Sequence, residues 1–223
     1  RGQVAALLGA APDEIVLTSG GSEANNLALK GSFFALRERG EHIISQITEH
    51  PAVLQPLAFL QRLGAQITLL PVDGSGHVDP DDLRRAITPR TILISIMHAN
   101  NETGTLQPVE AIATIAREHG IRLHTDAAQS VGHGSLDLAG LDCDFAAFSA
   151  HKMYGPMGVG ALVGRRSLLE RLAPFRFGGD MVDGVSYEDA SFADLPARLE
   201  GGTPNVGGII GMAAAADFIR SVG

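Results

Sequence analysis

Glu14-Ile15-Val16-Leu17, then an amphipathic stretch over 22–39, then His42-Ile43-Ile44-Ser45-Gln46: these segments read strand, helix, strand, and their order decides the fold. The rhythm continues down the chain. Helices are expected over 51–63, 79–87 and 109–119, and strands over 66–70, 91–97, 122–125, 145–149 and 159–163. Short apolar or β-branched strands joined by helices predict an α/β protein, a mostly parallel sheet with helices on both faces. Such sheets bind ligands beyond the carboxyl ends of their strands, so the residues that follow each strand are where chemistry is expected.

Four polar clusters occupy those positions: Thr18-Ser19-Gly20-Gly21-Ser22-Glu23, His98-Ala99-Asn100-Asn101-Glu102-Thr103-Gly104, Asp126-Ala127-Ala128-Gln129 and Ser149-Ala150-His151-Lys152. All four should converge on one rim. The first is a glycine turn opening a helix, where free N–H groups at Gly21 and Ser22 and the positive helix end suit a phosphate. Ser22 reads equally as a plain N-cap. Lys152 lies between the small and apolar residues Phe145-Ala146-Ala147-Phe148-Ser149 and the turn Tyr154-Gly155-Pro156. An amine withdrawn from water near other cations becomes a nucleophile toward aldehydes, which a Schiff base requires. A lone lysine reads as surface charge. The grouping Ser149-Ala150-His151-Lys152 does not.

The 223 residues suffice for one sizeable α/β domain and carry 17 basic against 25 acidic residues, a formal charge of −8. With no block of Lys and Arg to track a phosphate backbone, nucleic acid is not an expected partner. Neither a membrane span nor a signal peptide is legible, so a soluble, cytoplasmic protein is expected. The single cysteine, Cys143, leaves no intrachain disulfide, and the eight histidines lack metal-ligand spacing. The first segment opens within a helix and the last closes on one, 211–219, with nothing evident to cover its apolar face, which suggests a piece of a longer protein.

Phe148-Ser149-Ala150-His151-Lys152-Met153-Tyr154-Gly155-Pro156, with Thr48-Glu49-His50, Asp126-Ala127-Ala128-Gln129 and Met97-His98-Ala99-Asn100-Asn101-Glu102, resembles the class V aminotransferase family, and within it the cysteine desulfurases. The resemblance runs from about Thr18 to Gly211. It implies the large domain of the pyridoxal 5'-phosphate-dependent transferase (aspartate aminotransferase-like) fold over 1–223, with a C-terminal small domain outside the chain. It also implies roles. Lys152 would hold pyridoxal 5'-phosphate and later move protons at the substrate α-carbon. Asp126 would pair with the pyridine nitrogen, Gln129 with the phenolic oxygen, and His50 would stack on the ring. Asn101 would hold an oxygen near the reacting carbon. Gly21, Ser22, Ser149 and His151 would bind the phosphate, and Thr203 would reach that of a neighbouring subunit, which implies a homodimer. Judged singly, Asp126 reads as a helix cap, His50 as a core histidine and Gln129 as surface.

The family's reaction takes sulfur from L-cysteine through an enzyme thiolate, giving alanine and a persulfide for a sulfur-acceptor protein. That nucleophile and the arginine for the substrate carboxylate belong to a region downstream of this chain. Cys143, leading into a strand, reads as structural. Phe177-Gly178-Gly179-Asp180-Met181-Val182 and Glu200-Gly201-Gly202-Thr203-Pro204-Asn205 are similar to the Suf-type and sulfinate-desulfinase branch, whereas Asn100-Asn101-Glu102-Thr103-Gly104 resembles the Isc and Nif branch. A selenocysteine lyase, an epimerase of the same family, and a cofactor-binding or dimerising module without sulfur transfer are the alternatives.

Overall fold

The computed structural model describes residues 1–133 and 140–222. Seven strands form one sheet: β1 (Ile15–Thr18), β2 (His42–Gln46), β3 (Gln66–Leu70), β4 (Thr91–Ser95), β5 (Arg122–Asp126), β6 (Phe145–Ser149) and β7 (Gly160–Gly164), in the spatial order β1-β7-β6-β5-β4-β2-β3. β7 pairs antiparallel with both β1 and β6, while the remaining pairs are parallel. Six strands therefore share one direction and β7 alone opposes them. The cause is local: the segment 150–159 holds only a 3-10 turn, and a parallel return would need a longer crossover.

Side chains alternate across the sheet, and that alternation sorts the helices into two layers. On one face α2 (Gly21–Leu36) and α3 (Pro51–Arg62) pack Leu27, Phe33, Val53 and Leu57 against Val16, Ile43, Leu93, Phe145 and Ala147. On the other, α1 (Gly2–Leu8) and α7 (Val206–Val222) meet Phe148 and Ala161, while α4 (Pro80–Ala86) and α5 (Val109–Glu118) cover Ile44, Ile94 and Leu123. A short α6 (Arg166–Leu169) follows β7, and an exposed hairpin, β8 (Val182–Val185) with β9 (Ala190–Phe192), stands apart from the sheet.

One expectation changes, and the strand order settles a point the rhythm leaves open. β1 and β2 are not neighbours: β1 lies at one sheet edge beside β7, and α2 runs across the sheet between them, its first half in the β1–β7–β6 cluster and its second against β2 and β4. The last helix is also covered on one face, where Met212 and Ala216 pack with Val4, Ala5 and Leu8 of α1. Ile210, Phe218 and Val222 remain exposed on α7.

No helix among the described residues is long and apolar enough to cross a membrane. Among the same residues, no group of three or more His, Cys, Asp or Glu is placed to hold a metal ion.

Candidate active site

Because β1, β2, β4, β5 and β6 run the same way, their carboxyl ends open on one rim, where a pocket of about 230 Å³ is lined by Gly21, Ser22, Asn25, His50, Asn101, Asp126, Gln129, Ser149, His151 and Lys152 among others. The four strand-end clusters thus converge as the sequence reading expects.

One end of the pocket is a nest for an anion. Gly20 caps α2 at a positive φ of 152° that favours glycine, with no side-chain bond, so the N-cap is Gly20 and not Ser22, which stands exposed in the first turn. The Gly21 N–H donates to Ser149 Oγ at 2.6 Å, which leaves the hydroxyl's own hydrogen for a ligand. A Cβ at Gly21 would lie 3.0 Å from that oxygen and press on it, so the close approach of turn to strand favours glycine. The turn is braced from outside: Glu23 accepts from Ser19 N–H at 2.7 Å and pairs with Arg176 at 2.8 Å.

The floor is Asp126, the last residue of β5 and 6 % exposed. Its Oδ1 accepts the Ala128 N–H at 2.9 Å, and its Oδ2 accepts Asn25 Nδ2 at 2.7 Å. Asp126 thus does serve its local turn, as the plain reading of it as a cap had it, while its carboxylate still faces the pocket. A buried carboxylate held this way suits a protonated ring nitrogen.

His50 caps α3: its Nδ1 accepts the Ala52 N–H at 3.0 Å, which places the hydrogen of the neutral ring on Nε2 and fixes the ring's orientation beside the pocket. Lys152 ends the 3-10 turn Ala150–Lys152 that follows β6, half-buried, and lines the same pocket as Asp126. Asn101 sits at the mouth with its Nδ2 donating to Glu102 at 2.7 Å. The pocket therefore offers an anion nest, an acidic floor, the imidazoles of His50 and His151, and a single amine. Those groups suit a flat, phosphorylated, carbonyl-bearing heterocycle.

A family model described as Aminotransferase class-V matches residues 1–223. The chain belongs to that family. It is 49 % identical over 218 residues to a protein named cysteine desulfurase IscS from Dictyoglomus turgidum, covering 98 % of this chain and 51 % of the relative. A protein of the same name from Methanosarcina thermophila is 43 % identical over 218 residues, 98 % of this chain and 50 % of its own length. The chain spans about half the length of the curated relatives it matches. Among solved structures, the cysteine desulfurase CsdA from Escherichia coli superposes with a TM-score of 0.93 at 36 % identity, covering 98 % of this chain and 55 % of the other. A structure described as SspA in complex with cysteine gives 0.86 at 40 % identity, covering 97 % and 58 %.

For this class-V chain, nine of the ten residues expected at the cofactor share the pocket. Thr203 does not. It is exposed and lines a second groove of about 150 Å³ with Thr18, Ser19, Gly158 and Arg176, on the far side of the Thr18–Gly21 turn. Asn205, whose Nδ2 donates to the Gly158 carbonyl at 3.1 Å, tethers that segment there.

Asn25 escaped the sequence reading. Its signal was available, since it lies four residues after Gly21 and so on the same helix face. Cys143 lies at the opposite rim, two residues before β6 begins, and that strand alone puts about 13 Å between it and the Lys152 end at 3.3 Å per residue step. Burial first, and the Asp144 and Asp142 carboxylates second, push its thiol up to about 12.

Proposed function

We propose that these residues are the cofactor-binding domain of a pyridoxal 5'-phosphate-dependent cysteine desulfurase, which takes sulfur from L-cysteine and leaves alanine. The observation that carries this reading is one pocket joining Lys152 to Asp126, His50 and the Gly21–Ser149 nest. The names of the relatives support the substrate, and the IscS names favour the branch suggested by Asn100-Asn101-Glu102.

The donor set fits the cofactor group by group. Gly21, Ser22, Ser149 and His151 match a phosphate, Asp126 a pyridine nitrogen, Gln129 a phenolic oxygen and Lys152 an aldehyde. When bound, the cofactor supplies an electron sink for bonds broken at the substrate α-carbon. Asp126, oriented by Asn25 and the Ala128 amide, would pair with the ring nitrogen and favour its protonated form. The His50 ring, with its edge fixed by the Ala52 amide, would pack against the cofactor and exclude water. Lys152 would hold the cofactor through its amine and, once freed, would move the proton at the substrate α-carbon. Asn101 orients an oxygen near that carbon.

In the overall change the substrate C–S bond breaks, sulfur passes to an enzyme thiolate as a persulfide, and the carbon skeleton takes up protons as alanine. Cys143, buried at the opposite rim with its thiol held protonated, is not that nucleophile. We place the nucleophile, the carboxylate-binding arginine and a small domain in sequence outside this chain, and assign the whole protein to the cytoplasm. Thr203, exposed and outside its own pocket, would reach the phosphate of a second copy in a homodimer. A sulfur-acceptor protein would take the persulfide.

The test is turnover. Full-length protein supplied with pyridoxal 5'-phosphate, L-cysteine and a reductant should release sulfide and alanine in equal amounts, and the 223-residue chain alone should release neither. A full-length protein that forms alanine only from selenocysteine, or only epimerises its substrate, would overturn the reading.

A further inference from the structure

A second acidic side chain sits behind the site. Glu49, between the end of β2 and the start of α3, is 5 % exposed. Its Oε1 accepts the Met97 N–H at 2.6 Å. β2 ends at Gln46, so the Met97 amide beyond β4 has no strand partner on that side, and the carboxyl replaces the missing rung. A second tie joins the same two loops: Asn100 Nδ2 donates to the Thr48 carbonyl at 3.1 Å. One loop carries His50 and the other Asn101. Glu49 Oε2 is buried and without a hydrogen-bond partner among the described residues.

The charges that act on Glu49 are few. Asp126, on β5, is the charged side chain whose field reaches it, and the Met97 and His50 amides are its other polar neighbours. Among the described residues no cation compensates it. A buried carboxylate with one bare oxygen beside a second carboxylate is strongly disfavoured, and such a group takes up a proton instead.

We propose that Glu49 is a positioning residue that works as a neutral acid, stapling the His50 and Asn101 loops together while leaving Asp126 the one charged carboxyl beneath the cofactor. This rests on the pyridoxal-phosphate reading for its second half only. The staple and the proton belong to the protein without ligand.

The test therefore has two arms on the full-length protein. Without cofactor, the infrared difference spectrum between parent and Glu49→Gln should show the carbonyl stretch of a protonated carboxyl lost in the variant. With pyridoxal 5'-phosphate, Glu49→Gln should leave the pH midpoint of the visible band unchanged, because amide and neutral acid carry the same charge. Glu49→Ala, which removes the staple, should weaken cofactor binding by about tenfold or more, the size of one lost hydrogen bond to a buried group. A carboxylate band lost in place of the acid band, or a Glu49→Gln midpoint displaced by a full unit, would overturn the neutral state. Glu49→Ala protein binding cofactor as tightly as the parent would overturn the staple. Absence of any visible band in the parent would instead strike the cofactor reading and leave the infrared arm standing.

Discussion

Asn25 Nδ2 donates to Asp126 Oδ2 across 2.7 Å of buried space, joining the second turn of α2 to the end of β5. The contact spans 101 residues of sequence and fixes the carboxylate's plane relative to the anion nest, because Gly21 and Asn25 lie one helical turn apart. Removing a hydrogen bond to a charged group costs about 1.5–3 kcal/mol. Asn25→Ala should therefore lower pyridoxal 5'-phosphate affinity by roughly ten- to a hundredfold, measured by titrating the visible absorbance of the full-length protein. Unchanged affinity would show that Asp126 holds its orientation without Asn25.

Asp126→Asn keeps the shape and removes the charge. Without an anion to hold a proton on the ring nitrogen, turnover in the full-length protein should fall by about a hundredfold or more, the scale seen when a preorganised electrostatic partner is removed. Far-ultraviolet circular dichroism should not change. Wild-type turnover in the variant would remove Asp126 from the mechanism.

His124, on β5, is fully buried, with Nδ1 2.9 Å from Ser95 Oγ, and burial holds it down at about 3 against the ordinary 6.5. The unfolded chain gains a proton near pH 6.5 that the folded chain refuses until about pH 3. Its contribution to stability is thus complete above pH 6.5 and declines as the pH falls through that window, by at most about 1.4 kcal/mol per unit. Urea midpoints between pH 7 and pH 5 should fall less in His124→Gln than in the parent. Parallel profiles would contradict the buried neutral ring.

Glu49 predicts the opposite slope. Burial, then Asp126, raise its carboxyl well above the ordinary 4.5, so its contribution is complete below that value and is lost as the pH rises toward the folded-state value. Glu49→Gln should flatten the decline on the alkaline side of pH 4.5 and leave the acid limb alone. A steeper alkaline decline in the variant would mean that Glu49 is charged.

Cys143 should resist alkylation. With its thiol at about 12, the thiolate fraction at pH 8 is about one in ten thousand, and the sulfur is buried besides. Native protein should keep Cys143 unlabelled by iodoacetamide until urea unfolds it, as peptide mass spectrometry would show. Rapid native labelling would refute its placement.

The short apolar strands bounded by turn signals were legible to the residue: β2, β3 and β6 begin and end where the pattern places them. Their order was not, because nothing local in Ile15-Val16-Leu17 says that β1 pairs with β7 on the far side of the sheet. α2 ends at Leu36, short of Arg39, since the Arg39 and Gly40 amides both turn back to the Leu36 carbonyl. α7 starts five residues before the expected 211, at Val206, because the Asn205 side chain accepts the Gly208 N–H at 3.0 Å and carries the helix through a glycine pair that reads as loop. The β8–β9 hairpin is exposed along its whole length and so carries no buried face for periodicity to reveal. At the site, the strand-end rule found the pocket's charged members, while Asn25, 1 % exposed inside a helix, reads as an ordinary polar position until the fold brings Asp126 beside it.

Everything chemical here depends on the amine of Lys152. Full-length protein loaded with pyridoxal 5'-phosphate, reduced with borohydride and digested, should yield one pyridoxyl-modified peptide containing Lys152, and Lys152→Ala should yield none. A label on another lysine, or the same visible band in the Lys152→Ala protein, would contradict the assignment.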